Sequence, residues 1–216
     1  DALTLGAETG IDLTDKKTDF QLLRSKVGMV FQYPEYQLFA ETVFEDVAFG
    51  LNNFTERQLT KNEIENAVRE ALETVGLDYE QVKDRSPFEL SGGQKRRVAI
   101  AGVIAMEPKC IILDEPTAGL DPAGRENLMA NIRHYHENKG KTIILVSHSM
   151  DDISTLATRL VVMSKGEMVL TGTPREVFSR AQELVDVGLN VPQVTQIAME
   201  LKQRGVAIDS AVYTVA

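Results

Sequence analysis

Short apolar runs are the most regular feature of the chain. They occupy residues 27–31, residues 111–113 and residues 142–146, and longer stretches with apolar positions at helical spacing separate them. Continuous apolar runs of this length are typical of strands that are buried on both faces of a parallel sheet. The alternation of such runs with helical stretches predicts an α/β fold with a mainly parallel sheet.

Start and stop signals predict the helices between and after these strands. Thr60 and Glu63 form a capping box, apolar residues follow at helical spacing, and Gly76 ends the helix. Asp121 followed by Pro122 begins a second long helix. The remaining predictions are a strand at 2–5, a loop at 6–19, a hairpin with strands at 160–163 and 168–171, a helix beginning at Thr173, and a helix at 192–204.

The composition narrows the possible functions. A net charge of −9 over 216 residues disfavours nucleic-acid binding, which requires a basic face. The one cysteine, Cys110, leaves no disulfide framework, and we expect it to be a small buried residue. The sequence has no apolar run of about 18 residues, so a membrane role would require a partner.

The segment Ser91-Gly92-Gly93-Gln94 is the first with candidate chemistry. Ser91 as N-cap and Gln94 three residues later form a capping box, and the two glycines leave their N–H groups uncovered. Unpaired N–H groups and the positive end of the helix dipole favour an anion such as phosphate. The basic residues at 95–97 oppose the dipole, and a nearby polyanion would explain them.

Two carboxylates end the apolar run at 111–113. Asp114 and Glu115 follow it directly. In open α/β sheets ligands collect at the carboxyl ends of strands, so these side chains are placed for a Mg²⁺-bound phosphate. The alternative interpretation is an acidic turn in solvent, which the neighbouring motif disfavours.

Together these motifs resemble the nucleotide-binding subunit of an ATP-binding cassette (ABC) transporter. Residues 90–94 match the signature motif, residues 111–115 the Walker B strand and residues 119–121 the D-loop. Gln32 stands at the position of the Q-loop glutamine, and His148 at that of the H-loop histidine. The resemblance implies a P-loop NTPase-like core with a mainly parallel sheet, an inserted α-helical lobe and a small C-terminal module.

Further segments narrow the resemblance to one subfamily. The chain is similar to the ATPases of energy-coupling factor (ECF) transporters, which import vitamins and transition-metal ions, and is closer to the second of the two paralogous types. The segments that carry this similarity are 32–39, 86–89, 98–103, 147–150 and 172–178.

The aromatic residues Tyr33, Tyr36 and Phe39 follow Gln32 closely. Ordinary core packing is one interpretation of each. The other is an exposed group beside the contact with the membrane partner, because exposed aromatic residues commonly mark such contacts.

The resemblance implies a catalytic role for three residues. Glu115 would act as general base on the attacking water, with Gln32 contacting that water and His148 contacting the γ-phosphate of ATP. Asp114 and Gln32 would hold Mg²⁺.

The resemblance also implies that some residues serve the nucleotide of a second subunit. Ser91, Gly92, Gly93 and Gln94 would contact ATP held by the opposite chain, and Asp121 would lie at the same interface. ATP and Mg²⁺ are therefore the expected cofactors.

An assembly at the membrane follows from the same resemblance. We expect two ATPase subunits, identical or paralogous, a transmembrane coupling subunit and a substrate-binding membrane subunit, and no nucleic acid. The chain would be peripheral, on the cytoplasmic face of the cell membrane. The sequence does not name the transported substrate.

Four regions are predicted along the chain. Residues 1–40 form a partial ATPase core up to the Q-loop, and residues 41–105 a helical lobe that carries the signature motif. Residues 106–180 complete the core with Walker B, D-loop and H-loop, and residues 181–216 form an incomplete C-terminal module.

The sequence contains no G-x-x-x-x-G-K-[ST] phosphate loop. Gly140-Lys141-Thr142 resembles its end, but Tyr135 stands where a glycine is required. We therefore expect a fragment that is inactive alone and exposes apolar surface along 111–113 and 143–146. A non-catalytic regulatory or scaffold module is the alternative, and a DNA-maintenance ATPase is disfavoured because its long coiled-coil insertion is missing.

Overall fold

A computed structural model describes residues 14–55, 57–208 and 212–213. It divides into two compact units, Asp1–Val146 and Ser147–Ala216. The predicted strand at 2–5 and most of the predicted loop at 6–19 lie outside the described residues. The division into four regions stays a prediction.

The described part of the first unit contains a sheet of three parallel strands. Its strands are β1 (Val27–Val30), β2 (Cys110–Asp114) and β3 (Thr142–Val146), in the order β1-β2-β3. Val30 pairs with Leu113, and Asp114 pairs with Val146. The three strands therefore run in register and end at the same edge of the sheet, as the apolar runs predicted.

The central strand is the most buried part of this sheet. Ile111 and Leu113 are almost completely inaccessible, so the expectation that residues 111–113 are exposed was wrong there. On β3, by contrast, Ile144 and Val146 are about half exposed. The difference arises because β2 has a hydrogen-bonded neighbour on each side and covered faces, whereas β3 is an edge strand among the described residues.

Six helices accompany the sheet in the described part of the first unit. They are α1 (Phe20–Lys26), α2 (Val43–Phe54), α3 (Lys61–Thr74), α4 (Tyr79–Val82), α5 (Gly92–Ile104) and α6 (Pro122–Lys139). Short 3₁₀ turns occupy Pro34–Gln37 and Pro87–Glu89. The predicted capping box of α3 is present, and Gly140 ends α6 with a φ of 61°. Helix α1, which Asp19 caps, was not predicted.

Helices α2, α3 and α5 pack together into the main apolar core of the first unit. Their buried side chains follow helical spacing, so each helix turns one apolar stripe inward. The stripe residues that are at most 4% exposed include Val43, Val47, Leu51, Val68, Ala71, Leu72, Val98, Ile100 and Ala101. This core fixes α5, whose first residues carry the signature motif.

The described part of the second unit consists of a hairpin and four helices. The elements are α7 (Met150–Leu156), β4 (Leu160–Ser164), β5 (Glu167–Gly172), α8 (Pro174–Phe178), α9 (Ala181–Asp186) and α10 (Gln193–Gln203). Lys165 and Gly166 both have positive φ, as a two-residue hairpin turn of type I′ requires. Leu160, Leu170, Val177, Phe178 and Leu184 form the core. Every helix in the described part of the chain is too short or too polar to cross a membrane.

Candidate nucleotide site

The start of α5 has the predicted capping box. Ser91 Oγ accepts a hydrogen bond from Gln94 N at 3.3 Å, and Gln94 Oε1 accepts one from Ser91 N at 3.1 Å. The box leaves the N–H groups of Gly92 and Gly93 outside it, and a methyl group at Gly92 would meet no heavy atom within 4 Å. An anion can therefore approach this helix end closely.

The D-loop lies beside this helix end. A methyl group at Gly93 would be 3.3 Å from Leu120 Cδ2. The next residue, Asp121, caps α6, since its Oδ1 accepts a hydrogen bond from Gly124 N at 2.8 Å. The tertiary structure thus brings together residues 91–94 and residues 119–121, which the sequence analysis assigned to the same interface.

The basic turn after the signature motif has a different role from the expected one. Arg96 is buried and paired with Glu35, while Arg97 donates to the carbonyl oxygens of Val75 at 3.1 Å and Gly124 at 3.4 Å. Both guanidinium groups are therefore engaged within the chain. The explanation of these two arginines by a nearby polyanion was wrong.

The two candidate carboxylates lie where β2 ends. Asp114 is the last residue of β2, and Glu115 follows it with a φ of 47°, in the left-handed region that only a few per cent of non-glycine residues adopt. Glu115 N donates to Val146 O at 2.9 Å, and its carbonyl oxygen accepts from Ala118 N at 3.1 Å. These two bonds hold Glu115 in its strained conformation.

Gln32 lies near the same edge of the sheet. It is exposed and follows the end of β1 by two residues, while Asp114 ends the neighbouring strand. One carboxylate and one amide oxygen suit Mg²⁺, which commonly keeps several water ligands. The described residues contain no group of three or more His, Cys, Asp or Glu side chains that would form a complete protein cage for a metal.

His148 belongs to the second unit. It lies two residues before α7, and the neighbouring Ser149 caps that helix by accepting a hydrogen bond from Asp152 N at 3.4 Å. Ser149 N in turn donates to Ser147 Oγ at 3.0 Å. The backbone around His148 is therefore fixed by local hydrogen bonds.

The aromatic group after Gln32 is exposed. Tyr33, Tyr36 and Phe39 are 47%, 84% and 60% accessible, so core packing was the wrong interpretation of each. Asp46 fixes the end of this segment, since its Oδ2 accepts from the backbone N–H groups of Phe39 and Ala40 at 2.9 Å each. Sequence reasoning missed Asp46, because an acidic residue in a first helical turn also occurs for the helix dipole alone.

Similarity to known proteins defines the class of protein to which this site belongs. The family model described as "ABC transporter" matches residues 5–118. The chain belongs to the ABC transporter family. This confirms the predicted family, the fold class and the assignment to the ABC ATPases.

Individual relatives indicate the subfamily. The chain is 54% identical over 206 residues to the energy-coupling factor transporter ATP-binding protein EcfA2 of Clostridium perfringens, a match that covers 95% of this chain and 71% of the relative. It is 55% identical over 204 residues to EcfA2 of Clostridioides difficile, covering 94% of this chain and 70% of the relative.

Solved structures agree with these relatives. The structure of cbiO1 from Clostridium perfringens, part of the ABC transporter complex cbiONQ, matches with a TM-score of 0.66 and 42% identity, over 82% of this chain and 68% of that one. A dimeric ATP-binding cassette bound to ADP and Pi matches with a TM-score of 0.63 and 30% identity, over 71% of this chain and 65% of that one.

Proposed function

We propose that the chain is the ATP-binding and ATP-hydrolysing subunit that energises an ECF-type importer of a vitamin or a metal ion. Two features of the first unit support this proposal. The start of α5 is capped and open beside the D-loop, and two carboxylates lie at the end of β2. The similarity to EcfA2 proteins supports the same conclusion.

In this proposal Glu115 is the general base. Its carboxylate takes a proton from the water that attacks the γ-phosphate, a role that typically accelerates a reaction by about 10²–10⁴-fold. Asp114 and Gln32 would hold Mg²⁺, which would neutralise charge on the phosphate oxygens. Gln32 also orients the attacking water, and His148 contacts the γ-phosphate.

The start of α5 serves the ATP of a second subunit. The N–H groups of Gly92 and Gly93 and the hydroxyl of Ser91 donate to the γ-phosphate and stabilise charge that develops during transfer. Gln94 keeps Ser91 in place through the capping box. Asp121, at the start of α6, belongs to the same interface.

These roles require an assembly of several subunits. Two ATPase subunits, identical or paralogous, pair head to tail. The similarity to a dimeric ATP-binding cassette supports the pairing itself. The pair binds a transmembrane coupling subunit, which in turn binds a substrate-binding membrane subunit. The chain therefore works at the cytoplasmic face of the membrane, as a peripheral subunit.

The test is a single substitution in the protein assembled with its membrane subunits. Glu115→Gln keeps the shape of the side chain but cannot accept the proton, so ATP should still bind while hydrolysis falls by at least about 10²-fold. Glu126→Gln makes the same change on the exposed side of α6 and should leave hydrolysis unchanged. Hydrolysis near the parental rate in Glu115→Gln would show that another group is the base.

A non-catalytic scaffold remains the second candidate. A scaffold would show no ATP hydrolysis above background in the assembled transporter, and Glu115→Gln would leave transport unchanged. The retention of Gln32, Glu115 and His148 together favours the catalytic subunit.

A further inference from the structure

A buried ion pair joins two distant segments of the first unit. Arg96, in the second turn of α5, is 3% exposed. Its Nε and Nη2 donate to Oε2 and Oε1 of Glu35 at 3.1 and 2.9 Å, and the two residues are 61 positions apart in sequence. Two parallel hydrogen bonds from a planar guanidinium fix orientation as well as distance. Glu35 is therefore held against α5 in one orientation.

Other contacts hold the same segment. The Tyr33 ring centroid lies 5.8 Å from Arg96 Cζ, so residues on both sides of Pro34 contact this guanidinium. At the other end of the segment, Asp46 accepts hydrogen bonds from Phe39 N and Ala40 N. Residues 33–40 are therefore held by α5 at one end of the segment and by α2 at the other end.

Burial of this pair is weak evidence that it serves stability. Within the described residues, Arg96 Nη1 is buried without a hydrogen-bond partner. Buried ion pairs are often no more stabilising than apolar residues of the same volume, because both charges lose their hydration. Such pairs can instead specify one arrangement among several. The geometry here specifies the orientation of residues 33–40 on α5.

We propose that Glu35 is a positioning residue which, through Arg96, sets the orientation of the start of α5 relative to Gln32. Gln32 lies three residues before Glu35, and Ser91 lies five residues before Arg96. One ion pair therefore connects the segment that contacts ATP of its own subunit with the segment that contacts ATP of the opposite subunit. This inference rests on the proposed function, which assigns both segments to ATP.

The pair should act on the apparent affinity for ATP. When the start of α5 is already oriented, none of the binding energy of ATP is needed to orient it. When the pair is broken, only a fraction of molecules has the competent orientation, and the apparent affinity falls by that fraction. At saturating ATP the competent state is refilled, so the maximal rate changes little.

The test measures KM for ATP and kcat separately in the complete transporter. Glu35→Gln, which removes the charge, and Arg96→Lys, which cannot form two parallel bonds, should each raise KM by about fivefold or more, for a competent fraction of about one fifth. The kcat per folded transporter should stay within about twofold, as the same competent fraction is restored by ATP. The exchanged pair Glu35→Arg with Arg96→Glu should restore much of the parental KM.

A matched control is available in the second unit. Arg180 Nε donates to Glu183 Oε1 at 2.7 Å and its Nη2 to Oε2, but this pair is exposed and its residues are three positions apart. Glu183→Gln should therefore leave KM unchanged. A parental KM in both Glu35→Gln and Arg96→Lys would overturn the proposal. The proposal would also be overturned if these variants lowered only kcat, in proportion to the loss of folded protein.

Different results would contradict the proposed function and the positioning role of Glu35. If the parental transporter does not hydrolyse ATP, or if Glu115→Gln hydrolyses it at the parental rate, the proposed function is wrong. If the parental transporter is active, Glu115→Gln is inactive and Glu35→Gln has the parental KM, only the positioning role of Glu35 is wrong.

Discussion

Ser91 and Gln94 cap each other at the start of α5, and this arrangement leaves the Ser91 hydroxyl proton available. The Ser91 oxygen accepts from Gln94 N, and the Gln94 side chain accepts from Ser91 N. A hydroxyl group can accept and donate at the same time. The cap therefore orients Ser91 without using the donor that a phosphate would need.

Capping and phosphate binding at Ser91 can be separated by Ser91→Asp. Aspartate is as good an N-cap as serine, so the midpoint of thermal unfolding should stay close to the parental value. Its charge repels phosphate and it lacks the donor, so ATP hydrolysis should fall by about 10²-fold or more, the loss typical for one such donor.

The control for this change is Thr60→Ser, which alters the equivalent capping box of α3 and keeps the hydroxyl that donates to Glu63 Oε2. It should change neither unfolding nor hydrolysis. Normal hydrolysis in Ser91→Asp would mean that Ser91 is a cap and not a ligand. Loss of the cooperative unfolding transition would mean that the cap itself requires serine.

Gly28 is required by the close approach of β1 and α5. A methyl group there would lie 2.3 Å from Val103 Cγ1 and 3.1 Å from Pro108 Cγ. Gly28→Ala should therefore lower the free energy of unfolding by about 1–3 kcal/mol, as overpacking usually does. Urea denaturation measures this change, and the double variant Gly28→Ala, Val103→Ala should recover part of it.

Gly102→Ala is the matched control on α5. The added methyl group would meet its nearest atoms, Asp46 O and Val47 Cα, only at 3.8 Å. Because alanine favours a helix interior by about 0.5–1 kcal/mol over glycine, this variant should be slightly more stable. Equal losses in Gly28→Ala and Gly102→Ala would contradict the importance of the 2.3 Å contact.

Tyr135 should be replaceable by phenylalanine without loss. Its hydroxyl is buried and has no hydrogen-bond partner among the described residues. Removing such a group avoids its desolvation cost, so Tyr135→Phe should raise the free energy of unfolding at pH 7 by up to about 1 kcal/mol or leave it unchanged. Tyr79→Phe, which removes a hydroxyl 3.5 Å from Glu65 Oε1, is the control and should not stabilise.

The same variant should change the response to alkali. Burial, assisted by the charge of Glu107, raises the pKa of Tyr135 to about 12. The unfolded chain loses this proton near pH 10, so between about pH 10 and 12 the folded state binds more protons and stability falls as pH rises. Urea titrations over this range should show a smaller fall for Tyr135→Phe than for the parental protein.

The exposed aromatic residues after Gln32 should matter for transport more than for hydrolysis. Tyr36 and Phe39 are available for contact with the membrane subunit, and Phe39 is oriented by Phe49, whose ring centroid lies 4.9 Å away. The double variant Tyr36→Ala, Phe39→Ala should reduce uptake per ATP hydrolysed in reconstituted vesicles. Met168→Ala, at 61% exposure, is the control. Unchanged uptake in the double variant would place the membrane contact elsewhere.

The sequence by itself determined several of the local elements and the class of protein. Capping boxes at Thr60, Ser91 and Thr173 are present because each depends on residues only three positions apart. The runs that form β2 and β3 were recognisable because continuous burial leaves a continuous apolar pattern.

Only the tertiary structure decided which distant residues meet. In the sequence Arg96 is one of several basic residues in a basic turn. In the structure its guanidinium group pairs with Glu35, which is 61 positions away. Gly93 and Leu120 are distant in sequence and become neighbours only in the folded chain. Such contacts depend on how helices cross and on which rotamers fit between them. No local spacing encodes these features, so they follow from the packed fold alone.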